Sequence, residues 1–166
     1  LMPVLVAFYA ATNTSITPYL VPVALSAMLC TALFDAGIGL VVSLVGATLC
    51  GSILGSLQHS LVFLITGVMG AYSVRQVLHR SDFYRSMAYL IAAYTLTITA
   101  TGALLFSYSD VSEFLQNIKW DLVFGIFTAC GSSVLTIGLL PIFESVFRVV
   151  TPITLLELSD LNRPLL

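Results

Sequence analysis

The sequence predicts an all-α fold, a polytopic transmembrane bundle of about six spans with the first truncated. Three observations carry this. Of 166 residues, 58% are hydrophobic and only 8% charged, against roughly 45–50% and 25% in soluble domains. Fourteen charged side chains could not cover so much apolar surface in water, and the mean hydropathy of +1.04 agrees. The apolar residues fall in long runs broken by short polar turns, as helical spans of about 20 residues require. A transmembrane barrel needs apolar–polar alternation in every segment, and only Thr95, Thr97, Thr99 and Thr101 alternate.

Leu1–Ala11 reads as the tail of a first span, and Thr12–Thr17 as a polar turn. With no basic segment ahead of it and no small-residue cleavage site, this start is not a signal peptide; it looks like a chain cut within a span. Tyr19–Phe34 is the second span, with Pro18 just ahead and Pro22 in its first turn, where a missing N–H is tolerated. Asp35–Gly37 is a tight turn, Ile38–Gly55 the third span and Ser56–Ser60 another turn. Leu61–Val74 is a short fourth span, followed by a charged loop, Arg75–Arg85. Met87–Phe106 is the fifth span, Ser107–Asp121 a polar loop and Leu122–Phe143 the sixth span. Two units result: a helical bundle over residues 1–147 and a cytoplasmic juxtamembrane linker over 148–166.

Alternation of the spans puts Arg75, Arg80, Arg85, Arg148 and Arg163 on one side and only Lys119 on the other. The positive-inside rule then places both ends of the chain in the cytoplasm. A net charge of −2 excludes an electrostatic nucleic-acid binder. Cys30, Cys50 and Cys130 are 20 and 80 residues apart, which fits no zinc or redox motif, so they read as small packing residues. His59 and His79 fall on opposite sides and cannot share a metal. With no phosphate loop, nucleophile elbow or paired carboxylates in a span, catalytic, cofactor and metal sites are not expected in this chain.

Three patterns invite a functional reading. Pro141 removes one hydrogen bond from the last span and frees the Ile137 carbonyl, so it can act as a hinge. Glu144 and Arg148, four apart, pair on one helix face beyond it, and Thr151-Pro152 reads as an N-cap with Pro at the first helical position. The short helix so started would carry Leu155, Leu158 and Leu161 in register, and these residues together form the expected signal-coupling segment. Tyr94, Thr97 and Thr101 form a polar stripe on the fifth span, suited to hydrogen bonding between helices or to a transport path. Ala47, Gly51 and Gly55 recur every four residues and are expected to let a neighbouring helix approach closely.

The tail carries a resemblance. Gly138-Leu-Leu-Pro-Ile-Phe-Glu-Ser-Val-Phe147, Thr151-Pro-Ile-Thr-Leu-Leu-Glu-Leu-Ser159 and Asn162-Arg-Pro-Leu-Leu166 resemble the exit of the membrane region in bacterial seven-transmembrane receptors with an intracellular HD hydrolase domain. Tyr19-Leu-Val-Pro-Val-Ala24 with Met28-Leu29 looks like an earlier span of that family. Arg163 stands where the family more often has His, and Thr154 where a basic residue is usual. The resemblance implies a receptor whose extracellular domain is joined by seven helices to a cytoplasmic HD domain that hydrolyses cyclic di-AMP at a site of two divalent metals. No His-Asp pair occurs here, so those metals belong to a domain outside this chain, and the chain is expected to be inactive alone. The partners implied are the lipid bilayer and the receptor's own extracellular and cytoplasmic domains; a homo-oligomer is compatible with this. Two other classes compete: a small permease or transporter subunit, for which Gly67 and Gly70 in the short fourth span would mark a break, and a plain anchor.

Overall fold

A computed structural model describes residues 2–12, 17–75, 83–105 and 111–147. The described residues form six α-helices: α1 (Met2–Thr12), α2 (Val23–Leu33), α3 (Ala36–Ile53), α4 (Leu57–Val74), α5 (Phe83–Leu105) and α6 (Val111–Phe147). A short 3-10 helix, Pro18–Leu20, precedes α2. Four described helices are long and apolar enough to cross a bilayer, through Ala36–Ile53, Leu57–Val74, Tyr84–Leu104 and Ile118–Phe143.

Local chemistry sets the boundaries, and several differ from expectation. The turn expected at Asp35–Gly37 is shorter, because the Asp35 carboxylate accepts the Gly37 N–H at 3.0 Å and starts α3 at Ala36. The turn expected at Ser56–Ser60 is also shorter. Gly55, at φ +62°, lets the chain close a Schellman cap: Gly55 N–H bonds the Ser52 carbonyl and Ser56 N–H the Gly51 carbonyl, both at 3.2 Å. α4 therefore begins at Leu57 and gains a full turn over the expected span.

The second span is not one helix. Pro22 does not sit inside its first turn; it separates the 3-10 helix from α2. Val23 N–H turns back to the Val21 carbonyl at 2.9 Å, and α2 is left with 11 residues. The loop expected at Ser107–Asp121 is likewise corrected, since helical backbone runs from Val111 onward. Charged residues drew attention there, yet Phe114, Leu115, Ile118 and Leu122 keep helical spacing and no Pro or Gly interrupts them.

Short α2 is the centre of the bundle, flanked by α3, α4 and α6, while α5 packs between α4 and α6 and α1 lies against α3. Eight of its 11 residues are buried, so neighbouring protein, rather than its own length, keeps it within the membrane. Small residues make the close packing possible. A Cβ on Gly39 would lie 2.9 Å from the Ala27 carbonyl oxygen on α2, one on Gly67 2.7 Å from Ser43 Cβ on α3, and one on Gly125 2.6 Å from Ile98 Cδ1 on α5.

The surface is apolar, unlike that of a water-soluble bundle, and small hydroxylated side chains lie among the buried hydrophobic ones. The outer surface carries Val41, Leu44, Val45 and Leu49 on α3, Leu96 on α5, and Phe127, Val134 and Leu135 on α6, all exposed. The interior holds Thr31, Ser43, Thr66, Thr97, Thr101, Thr128, Ser132, Ser133 and Thr136. Lipid is the solvent that accepts this arrangement, because apolar side chains gain nothing by hiding from it and small hydroxylated ones help helices pack. Exposed Tyr72 and Tyr84 near one end, and Trp120 near the other, stand where aromatic rings sit at headgroup level.

Candidate functional site

α6 is the element that reaches farthest. Its 37 residues measure about 55 Å at 1.5 Å per residue, against a hydrocarbon thickness of about 30 Å. The helix continues through Pro141 to Phe147, and Pro141 is exposed on it. Pro141 therefore weakens one point of a continuous rod and does not end it. Glu144 lies on the helical backbone one turn beyond Pro141. Arg148, Thr151 and Pro152, with the short helix expected at Ile153–Leu161, lie outside the described residues.

Two polar contacts tie α6 to the centre of the bundle, and neither residue was singled out from the sequence. Thr128 Oγ1 donates to the Tyr19 carbonyl at 2.9 Å across 109 residues of sequence. That carbonyl needs an outside donor: Pro22 has no N–H to offer it, and Val23 N–H is turned to Val21. Two turns further along α6, Thr136 Oγ1 donates to its own Ser132 carbonyl at 2.7 Å and its oxygen lies in contact with Met28 Sδ on α2 at 3.9 Å.

The break before α2 gathers a polar cluster. Gln58 Nε2 donates to the Tyr19 hydroxyl at 3.2 Å, and the His59 ring stands 5.1 Å from the Tyr19 ring and 6.4 Å from that of Phe63. Thr17 Oγ1 and His59 Nδ1 are buried here without a hydrogen-bond partner among the described residues. Pro18 and Pro22 bracketing Tyr19 are the one sequence signal that pointed to this cluster, since two such prolines must leave open carbonyls between them. Thr128 itself, far along the chain, gave no local signal.

Tyr94, Thr97 and Thr101 are all buried on α5. The hydroxyls of Thr97 and Thr101 do not reach between helices as expected. Thr97 Oγ1 donates to the Ala93 carbonyl and Thr101 Oγ1 to the Thr97 carbonyl at 2.7 Å, within their own helix. The fully buried Tyr94 hydroxyl is directed across to the Thr66 side chain on α4. Gly67 and Gly70 do not mark a break, since α4 runs continuously past both: Gly67 sits against Ser43, and Gly70 against Ala24 and Met28.

Ala47 and Gly51 are buried on α3 and face α4. A Cβ on Gly51 would stand 1.6 Å from Ser60 Oγ and 2.9 Å from Ser60 Cα. Gly55 does not share this role; a Cβ there would meet nothing within 4 Å, and its task is the left-handed cap.

Among the described residues no three His, Cys, Asp or Glu side chains gather where they could hold a metal. The donors that a two-metal hydrolytic centre demands are not assembled by these residues, and no chemical step is assigned to them. What the geometry defines is a bundle of apolar helices, four of them long enough to cross a membrane, with one long last helix. The chain belongs to the family of 7TM receptors with intracellular HD hydrolase, whose model matches residues 1–151. It is 31% identical over 156 residues to the cyclic-di-AMP phosphodiesterase PgpH of Bacillus subtilis (strain 168), a match covering 89% of this chain and 21% of that protein. The chain thus spans about a fifth of the length of that relative. No solved structure matches it.

Proposed function

We propose that this chain is the membrane module of a receptor, one that passes a signal from an extracellular domain to a cytoplasmic HD-type phosphohydrolase degrading cyclic di-AMP. It would act in the bacterial plasma membrane, with both of its ends on the cytoplasmic side, and its parent protein would be a metal-dependent phosphodiesterase. The observation that carries this reading is α6. It meets the central helix region through the Thr128 hydrogen bond to the Tyr19 carbonyl and the Thr136–Met28 contact, and continues past Pro141. A displacement of α6 against the bundle core, remaking these two contacts, would move whatever follows α6. The coupling energies needed are small: about 1 kcal/mol changes a two-state population roughly fivefold. Pro141, with Glu144 beyond it and Arg148, Thr151 and Pro152 after that, forms the segment through which the motion would leave.

The test uses the full-length parent in liposomes. Pro141→Ala should alter the change in cyclic di-AMP hydrolysis that follows removal of the extracellular domain, and should leave the isolated cytoplasmic domain's rate unchanged. A mutant whose response equals that of wild type would show that Pro141 is a structural kink alone.

A further inference from the structure

A groove of about 400 Å³ lies open between the start of α3 and the end of α4. Such a volume lies within the roughly 300–1,000 Å³ of small-ligand sites. Its walls are Ala36 and Leu40 on α3, and Val68, Met69 and Tyr72 on α4, with Ala71 at its base and Arg75 at its mouth. From Arg75 inward to Val68 the groove follows α4 for about 10 Å, seven residues at 1.5 Å each. All the walls but the Arg75 end are apolar or aromatic, and they open sideways toward the surface that lipid covers.

Arg75 is exposed, caps the end of α4, and makes no ion pair among the described residues. Tyr72, one turn earlier on the same face, is 64% exposed. An arginine and a tyrosine stacked this way at a span end are placed at headgroup depth. The nearest carboxylate on the opposing helix, Asp35, is already engaged by the Gly37 N–H at its own helix start. The groove therefore offers a cation at the water boundary that is in no ion pair among the described residues, and a greasy channel directly below it.

We propose that this groove binds one anionic phospholipid of the surrounding leaflet. The phosphate lies against the Arg75 guanidinium, and an acyl chain runs down between Leu40 and Met69. The charge selects the headgroup, because a juxtamembrane Lys or Arg attracts an anionic lipid by about fivefold in affinity. The channel selects a lipid over a free phosphate, because only a lipid fills its apolar walls. Occupancy would brace α3 against α4 at the end of the bundle where α4 leads into the Arg75–Arg85 segment.

The test is retention of lipid by the purified full chain in nanodiscs of mixed phosphatidylglycerol and phosphatidylcholine, read by mass spectrometry after detergent exchange. Wild type should retain phosphatidylglycerol over phosphatidylcholine, and Arg75→Gln should lower that preference about fivefold. Leu40→Trp, which fills the groove from a half-exposed position, should lower retention with Arg75 intact. Lys119→Gln, an exposed cation at the other end, should change nothing. Equal retention of the two lipids by wild type overturns the proposal. So does a loss shared by Lys119→Gln, which indicates diffuse charge attraction, or full retention in Leu40→Trp, which indicates headgroup contact without the groove.

Discussion

Replacing Gly51 with Leu tests the seam between α3 and α4 most sharply, because the two readings of that face predict opposite signs. The first added atom would stand 1.6 Å from Ser60 Oγ, 2.6 Å from Ser60 Cβ and 2.9 Å from Ser60 Cα. Rotating Ser60 clears only the first conflict. Bringing the Cβ pair to an ordinary contact of about 3.5 Å needs the helices to part locally by about 0.9 Å. That parting loosens the neighbouring core of Ala47, Cys50 and Phe63. Overpacking of this kind costs about 1–3 kcal/mol, and the three further carbons of Leu place it at the upper end. The better helix propensity of Leu returns somewhat less than 1 kcal/mol, so a net loss of about 2 kcal/mol is expected. Equilibrium unfolding in mixed detergent micelles measures it, with Leu44→Ile, on the exposed face, as the neutral control. Adding Ser60→Gly, which removes two of the three conflicting atoms, should recover part of the loss. Gly55→Leu should cost about 1–2 kcal/mol through its left-handed backbone and gain nothing from Ser60→Gly. If Gly51→Leu is neutral or stabilising, that face looks at lipid and the seam is misplaced.

Two more outcomes follow from the same structure. Thr128→Val removes the donor to the Tyr19 carbonyl and should destabilise by about 0.6 and at most about 1.7 kcal/mol. Thr99→Val, whose exposed hydroxyl bonds only its own helix at 2.7 Å, should change the unfolding midpoint little. For orientation, a cysteine placed at Ser112 should react with an impermeant thiol reagent added outside intact cells, and one placed at Ser81 should not; the reverse pattern inverts the topology.

The bundle was legible in the sequence because lipid solvation leaves a coarse signature: long apolar runs separated by short turns. Ala47 and Gly51 were legible because a stripe of small residues every four positions lies on one face of a helix. Gly55 continued the period past the point where α3 stops, so spacing alone could not separate a packing glycine from a capping one. The start of α6 was hidden by Asp110, Glu113 and Lys119, whose charges spoke for a loop while the apolar spacing beneath them was helical. The polar centre was the least legible part. Tyr19 and Thr128 meet only through the fold, and the hydroxyls of Thr97 and Thr101 look alike in sequence whether they bond across helices or within one.

The central claim is that α6 moves relative to α2 when the receptor signals. It is tested by tying the two together. Thr136 Oγ1 and Met28 Sδ are 3.9 Å apart, so Thr136→Cys with Met28→Cys can be joined by a short reagent carrying two thiol-alkylating groups once Cys30, Cys50 and Cys130 are replaced by Ala. The full-length parent, in liposomes, is assayed for cyclic di-AMP hydrolysis with and without its extracellular domain, before and after joining. A second tie, Ser73→Cys to Ser86→Cys between α4 and α5, where Ser86 Oγ now meets the Ser73 carbonyl at 3.2 Å, serves as the comparison. Joining α2 to α6 should abolish the difference that the extracellular domain makes, while the α4–α5 tie preserves most of it. An undiminished response with α2 and α6 joined would contradict the account.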